Sequence, residues 1–232
     1  MLGGVSDERE RRREVNDLMR HDMRTRVGIG KGYITMLLAH YDRMSPEQRA
    51  AALHGIDDAF DRLDEFSRRV LMDEKLEVLG PVAQRGEVPV AAVLRPVVAA
   101  YPGVVVETAP DVPETAYADP VMVRELLDNL LANAVTAAPP DTPVTLRVSG
   151  ALRFEVRDAG DTITEADVPV LFERYGRTEH SRRTQAPGLG LGLSIVRRMV
   201  EAHGGTYGVD LGDGTTFWVE LPVSPNGVLS PE

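Results

Sequence analysis

Apolar positions in the first third of the chain recur at helical spacing. Leu53, Ile56, Phe60, Leu63 and Val70 keep to a 3-4-3-7 pattern, a heptad-like seam that Phe66 widens. Upstream, Val15, Leu18, Met19 and Met23 lead into a second apolar set at Ile29, Ile34, Leu37, Leu38 and Tyr41. The pattern predicts helix from about Ser6 to Leu76, interrupted once at Met44-Ser45-Pro46-Glu47-Gln48. There Ser45 reads as an N-cap and Pro46 as the first helical position. Helices joined by so short a turn lie antiparallel. Two helices cannot enclose a core by themselves, and this hairpin has more apolar positions than a free pair can bury. Pairing of two hairpins into a four-helix bundle would cover them, so the hairpin is expected to dimerise; the alternative is packing against the rest of the chain.

Gly80, Pro81, Gly86 and Pro89 then mark a linker, and the pattern changes behind it. A short helix is predicted over Ala91 to Ala100 and a strand over Val104 to Glu107. Asp119 to Ala138 is a long amphipathic helix with Asp119-Pro120 at its start. Val144 to Val148 and Leu152 to Arg157 read as strands joined at Ser149-Gly150-Ala151, a hairpin signal. Leu193 to His203 is a helix closed by Gly204-Gly205, and Thr206 to Val209 and Thr215 to Leu221 finish as strands. The expected fold is α followed by α/β: an N-terminal antiparallel helical hairpin, then an α/β sandwich with helices on one side of a sheet. The expected partition is a lead-in over 1–14, the hairpin over 15–76, a linker over 77–88, the α/β domain over 89–223 and a disordered tail over 224–232.

Composition narrows the function. A net charge of −10 over 232 residues argues against a binder of phosphate backbones, so no nucleic-acid partner is expected. There are no cysteines, which excludes disulfides and thiolate metal sites. The most apolar stretch, Val88 to Val106, is broken by Pro89, Arg95, Pro96 and Pro102, and the N-terminus has no apolar core of signal-peptide type. The expectation is a cytoplasmic, soluble chain with no membrane segment.

Candidate chemistry comes in a fixed order along the chain. Arg20-His21-Asp22 lies on the first helix, with Thr25 one helical turn beyond. Asn129 and Asn133, at i and i+4, project from one face of the long helix among Leu126, Leu127, Leu130 and Leu131. Amide oxygens suit a hard cation such as Mg²⁺, which keeps waters and phosphate oxygens in its remaining positions. Asp158 ends an alternating strand and meets Gly160; a carboxylate there can accept from an adenine amino group. Phe172-Glu173-Arg174 opens a polar segment also holding Arg177, Arg182 and Arg183, whose composition fits a mobile lid or a solvated loop. Gly188, Gly190 and Gly192 precede Leu193 at a helix start, where backbone N–H groups and the helix dipole attract phosphate.

Taken together, this order resembles that of sensor histidine kinases. The His21 segment resembles their H-box, Asn129 to Ala134 their N-box, Asp158-Ala159-Gly160 the first glycine box, Phe172 to Arg174 the F-box and Gly188 to Gly192 the second glycine box. The resemblance implies a Bergerat-type ATPase domain, binding ATP with Mg²⁺, behind a dimerisation and phosphotransfer hairpin. It implies that His21 takes the γ-phosphoryl group and passes it to a response-regulator receiver aspartate, that Asp22 accepts a proton from the imidazole, that Asn133 holds Mg²⁺ with help from Asn129, and that Asp158 reads adenine. Gly160, Phe172, Arg174, Gly188, Gly190, Gly192 and Leu193 would complete the nucleotide site. Thr25 is placed to position a water for attack on a phosphoaspartate, a phosphatase role.

Arg26 stands where the family has proline, Thr162 where it has a second glycine, and Val135 to Ala138 where it has lysine and an aromatic. A phosphotransfer scaffold with a degenerate ATP site is therefore the alternative function. Gly28, Gly30 and Gly32 lie just beyond Arg26. They are expected either to soften the first helix or, through the shared face of Gly28 and Gly32, to let a neighbouring helix approach.

Overall fold

A computed structural model describes residues 3–80, 82–150, 152–184, 188–222 and 224, with side chains for all of these except 3–18, 21, 22, 65, 78 and 79. The tail expected at 224–232 lies, beyond its first residue, outside the described residues. The chain divides into two compact units, with a border between Met72 and Asp73.

The first unit holds α1 (Gly3–His40), a 3₁₀ turn over Tyr41–Arg43, and α2 (Pro46–Leu79) as far as Met72, the last residues of α2 belonging to the second unit. The sequence signal at the turn is realised as a capping box. Ser45 Oγ accepts from Gln48 N at 3.3 Å, and Gln48 Oε1 accepts from Ser45 N at 2.9 Å. Across the pair, the Tyr33 ring occupies the space a side chain on Gly55 would need. Arg26 donates from Nη1 to the Arg62 carbonyl at 3.1 Å, with its guanidinium 5.7 Å from the Phe66 ring centroid. A proline at 26 would offer neither contact.

Within the hairpin the close approach falls at Gly30, not on the face shared by Gly28 and Gly32. Gly30 is the buried one, and a methyl group there would meet Ala59 Cβ at 3.5 Å, whereas Gly28 and Gly32 face open space. Ile34, Leu38, Leu53 and Phe60 remain exposed, between 39% and 82%. A seam of this kind is what a second helical pair would cover.

The second unit holds β1 (Gly86–Pro89), α3 (Val90–Ala100), β2 (Val104–Thr108), β3 (Thr115–Ala118), α4 (Pro120–Ala137), β4 (Val144–Ser149) and β5 (Arg153–Asp158). After them come the short helices α5 (Val168–Leu171) and α6 (Glu179–Arg183), then α7 (Gly192–His203), β6 (Thr206–Gly212) and β7 (Gly214–Glu220). Five strands form one sheet in the order β2-β4-β5-β7-β6, in which only the β2–β4 pair is parallel.

Strand alternation sends Val144, Leu146, Val148, Phe154, Val156, Phe217 and Val219 to a face that is at most 5% exposed. Against it pack α4 and α7, with α3 beside α4. Leu126, Leu127, Leu130 and Leu131 of α4 are fully buried, each worth roughly 2 kcal/mol of transfer free energy. On the opposite face Trp218 lies over Gly208, whose lack of a side chain leaves room for the indole, and the Arg153 guanidinium stacks 4.3 Å from its ring.

A second, two-stranded sheet pairs β1 with β3 in antiparallel register, Gly86 opposite Ala118. By sequence pattern β1 falls within the linker and β3 forms no element. Both strands are four residues long, one carrying Pro89 and the other two alanines, so neither shows a strand composition.

Candidate functional site

Asn129 and Asn133 sit at one side of α4, beneath the first turn of α7. A glycine permits this close approach: a methyl group on Gly192 would lie 3.2 Å from Asn129 Oδ1 and 3.6 Å from both amide atoms of Asn133. Asn129 is 3% exposed; its Nδ2 donates to the Glu125 carbonyl at 2.8 Å, while its Oδ1 is buried and takes no hydrogen bond among the described residues. A buried acceptor without a donor is costly by itself and is suited to a cation or its water. No cluster of three or more His, Cys, Asp or Glu side chains able to hold a metal exists among the described residues. The donor set is thus amide oxygen, and it fits Mg²⁺ that draws its other ligands from phosphate and water.

Asp158 is the last inward-facing position of β5, a carboxylate where alternation calls for an apolar residue. It is 2% exposed, and its Oδ1 accepts from Gly160 N at 2.7 Å. Burial raises its pKa above the ordinary carboxylate value, against the opposing effect of that hydrogen bond. The hydrogen bond from Gly160 engages Oδ1 alone and leaves Oδ2 outside it. Gly160 is required: a side chain there would meet Asp158 Oδ1 at 2.7 Å and the Ala137 carbonyl at 2.9 Å.

The register places Thr215 opposite Asp158, and its buried hydroxyl donates to the Gly160 carbonyl at 3.2 Å. Thr215 escapes a sequence reading because only strand register reveals it. Gly188 and Gly190 have φ of 131° and 67°, values that favour glycine. Leu193, in the first turn of α7, is half-buried.

Phe172 and Arg174 both make contacts within the protein. Phe172 is packed beneath the sheet, its ring centroid 4.6 Å from Tyr207 and 6.1 Å from Phe217 in an edge-on contact. Arg174 turns to the end of α2, where Nε and Nη2 reach Asp73 Oδ2 at 2.8 and 2.5 Å and Nη1 pairs with Glu77. Arg177 is folded onto α6, donating to Ser181 Oγ at 3.0 Å and to the Ser181 carbonyl at 2.8 Å. Thr178 caps α6 through Ser181 N, and the buried Asp167 ties the start of α6 to Thr164 by accepting from Glu179 N and Thr164 N.

α4 is anchored from both sides of its N-terminus. Asp119 Oδ1 accepts from Val121 N and Met122 N at 3.0 and 3.1 Å, and its Oδ2 from Gln84 N at 2.8 Å. The Asp119 N–H donates to His203 Nε2 at 3.0 Å. An N–H can only donate, so Nε2 is the acceptor and the proton sits on Nδ1, which donates to Met199 O at 2.7 Å. His203 therefore joins two elements: Nδ1 bonds back within α7, and Nε2 bolts α7 to the start of α4. Burial lowers its pKa.

On α1, His21 and Asp22 have helical backbone, and their side chains lie outside the described residues. Thr25 is exposed, one turn further along.

Three helices lie on one face of a mixed sheet, two amides meet the glycine-rich start of α7, and the buried Asp158 carboxylate lies beside the C-terminal end of α4 through Gly160, the layout of a candidate nucleotide-binding domain. Residues 118–225 match the family described as histidine kinase-, DNA gyrase B-, and HSP90-like ATPase. Among curated relatives, the sensor protein IrlS of Burkholderia pseudomallei is 38% identical over 110 residues, 45% of this chain and 24% of its own. Among solved structures, full-length ShkA in complex with AMPPNP is 26% identical with a TM-score of 0.58, over 89% of this chain and 45% of that one. Histidine kinase ThkA in complex with the response regulator protein TrrA shares the fold at a TM-score of 0.63 and 20% identity, over 97% of this chain and 67% of that one.

The chain is thus similar to sensor histidine kinases, and its residues 118–225 resemble their ATPase-type catalytic domain. It spans between 15% and 29% of the length of the curated relatives it matches. No helix among the described residues is long and apolar enough to cross a membrane.

Proposed function

We propose that the chain is an ATP-dependent protein-histidine kinase that autophosphorylates His21 and passes the phosphoryl group to a receiver-domain aspartate of a response regulator. The observation that carries the reading is the contact of Gly192 with the Asn129–Asn133 pair. It brings an orphaned amide oxygen beneath a helix N-terminus, with the half-engaged carboxylate of Asp158 in the same domain.

Asp158 Oδ2 accepts the adenine amino group, and Asn133, helped by Asn129, holds Mg²⁺. The N–H groups opening α7 receive phosphate oxygens. Mg²⁺, when bound, neutralises phosphate charge during transfer. The His21 imidazole attacks the γ-phosphorus through one ring nitrogen; the bond from phosphorus to the β–γ bridging oxygen breaks, and ADP leaves. Asp22 takes the proton from the other ring nitrogen. Thr25 positions water for hydrolysis of the partner's phosphoaspartate. The chain acts in the cytoplasm as a homodimer through the exposed hairpin seam. Against a scaffold with a degenerate site stands the intact amide–glycine contact.

Incubation with labelled ATP and Mg²⁺ tests the reading. The label is expected to be lost in acid, to survive base and to vanish in His21→Ala. An acid-stable label, or one retained by that variant, would place the phosphoryl group elsewhere.

A further inference from the structure

α2 is one continuous helix, yet the border between the compact units falls inside it, between Met72 and Asp73. Its last two turns therefore belong to the second compact unit, which holds the ATPase-type segment. There Asp73 is 1% exposed, an unusual place for a carboxylate. Among the described residues its charge is met by Arg174, through two nitrogens on one oxygen. The third nitrogen of Arg174 pairs with Glu77, and Arg198 Nη1 reaches the Asp73 carbonyl at 3.5 Å. Each of the three nitrogens of the Arg174 guanidinium is thus engaged by a carboxylate of α2.

The backbone just beyond Arg174 is tightly determined. Tyr175 has φ of 62°, a left-handed conformation that is uncommon for a non-glycine residue, and its ring lies 4.9 Å from the Arg174 guanidinium. Gly176 comes next, where any side chain would strike the Val170 carbonyl. A side chain on Gly190 would in turn strike the Gly176 carbonyl, so the turn after Arg174 and the glycine loop before α7 are in backbone contact. Two residues beyond Gly190 stands Gly192, against Asn129 and Asn133. A contiguous chain of contacts thus joins the end of α2 to the phosphate end of the nucleotide site.

We propose that Arg174 is a positioning residue: by gripping Asp73 and Glu77 at the end of α2, it sets the turn at Tyr175-Gly176 and, through Gly190, the placement of the glycine loop against ATP. The inference rests on the ATP-site reading above. It makes α2 the element whose movement alters nucleotide handling.

The test uses the full chain with Asp73→Asn, Glu77→Gln, Arg174→Gln and the double variant Asp73→Asn/Arg174→Gln. Autophosphorylation is measured as a function of ATP, and ADP binding by calorimetry. Both single variants of the buried pair are expected to raise the KM for ATP about fivefold. ADP affinity is expected to change far less, and the double variant to be no worse than either single. Glu77→Gln, which leaves no buried charge unpaired, is expected to shift KM in the same direction by a smaller factor. A purely structural pair would lower the folded fraction and apparent kcat and leave KM unchanged, which would overturn the positioning role. So would an Arg174→Gln defect that Asp73→Asn and Glu77→Gln do not share, since Arg174 would then act on phosphate directly. A wild-type chain that binds neither ADP nor ATP would overturn the ATP-site reading and this role with it; binding with an unmoved KM in the Asp73 and Glu77 variants would overturn this role alone.

Discussion

Gly192 has an ordinary helical backbone, so alanine there costs nothing in conformation and slightly favours the helix. Its added carbon would nonetheless press on Asn129 Oδ1 at 3.2 Å. Gly192→Ala is accordingly expected to weaken binding of Mg²⁺–AMPPNP about tenfold, or 1.4 kcal/mol, while the thermal midpoint holds or rises; calorimetry beside a melt checks both. His203 gives a second residue-scale expectation. Burial holds its folded pKa below the ordinary value of 6.5, so the unfolded chain binds the extra proton first. Its contribution is whole above pH 6.5 and is lost as pH falls through the folded pKa, where protonation removes the acceptor for Asp119 N–H. Thermal midpoints at pH 7, 6 and 5 are expected to fall in sequence, and a His203→Gln variant to flatten the trend. Asn129, Asn133, Asp158 and the glycines are legible in the sequence because helix and strand periods place them without tertiary knowledge. Thr215 and Asp73 are not: the first acquires meaning from register with β5, the second from burial by Arg174.

At the scale of elements, caps and periodicity carry the sequence reading furthest. Ser45 and Asp119 mark helix starts by chemistry that acts within four residues, and α4 is evident from its leucine face. The strands β1 and β3 escape it because each is held by the other, across 25 residues, and not by its own composition. Asp119→Ala removes both α4 caps and the acceptor for Gln84 N. It is expected to cost about 1–2 kcal/mol, read from the denaturant midpoint. In the hairpin, a methyl at Gly30 meets Ala59 at ordinary contact distance in an otherwise helical backbone, so Gly30→Ala is expected to stabilise α1 by up to about 1 kcal/mol without separating the helices. Circular dichroism with thermal melting measures it, and a lower midpoint would mean that α1 and α2 cannot yield there.

For the molecule as a whole, the exposed seam of the hairpin sets the expectation. Phe60 is 57% exposed and Leu53 58%, at the a/d-like spacing visible in the sequence. If the proposed homodimer forms through this seam, Phe60→Arg is expected to yield a monomer in light scattering while leaving ADP affinity unchanged, since the second unit forms its own core. A dimer that survives Phe60→Arg with undiminished stability would move the interface to another face. The seam is legible as an amphipathic pattern; the course of α2 is not. Nothing in the residues of 73–79 distinguishes a helix end gripped by Arg174 and Arg198 from a solvated continuation.

Trp218 is the only tryptophan of the chain, and it lies on the outer face of the sheet against Gly208 and the Arg153 guanidinium. Its emission therefore reports on one of the two units and is blind to melting of α1. Fluorescence and far-ultraviolet dichroism, recorded on the same sample during chemical denaturation, separate loss of the sheet from loss of the long helices. Two coincident curves would mean that the units unfold together; two separated ones would give each its own free energy from a single unlabelled protein.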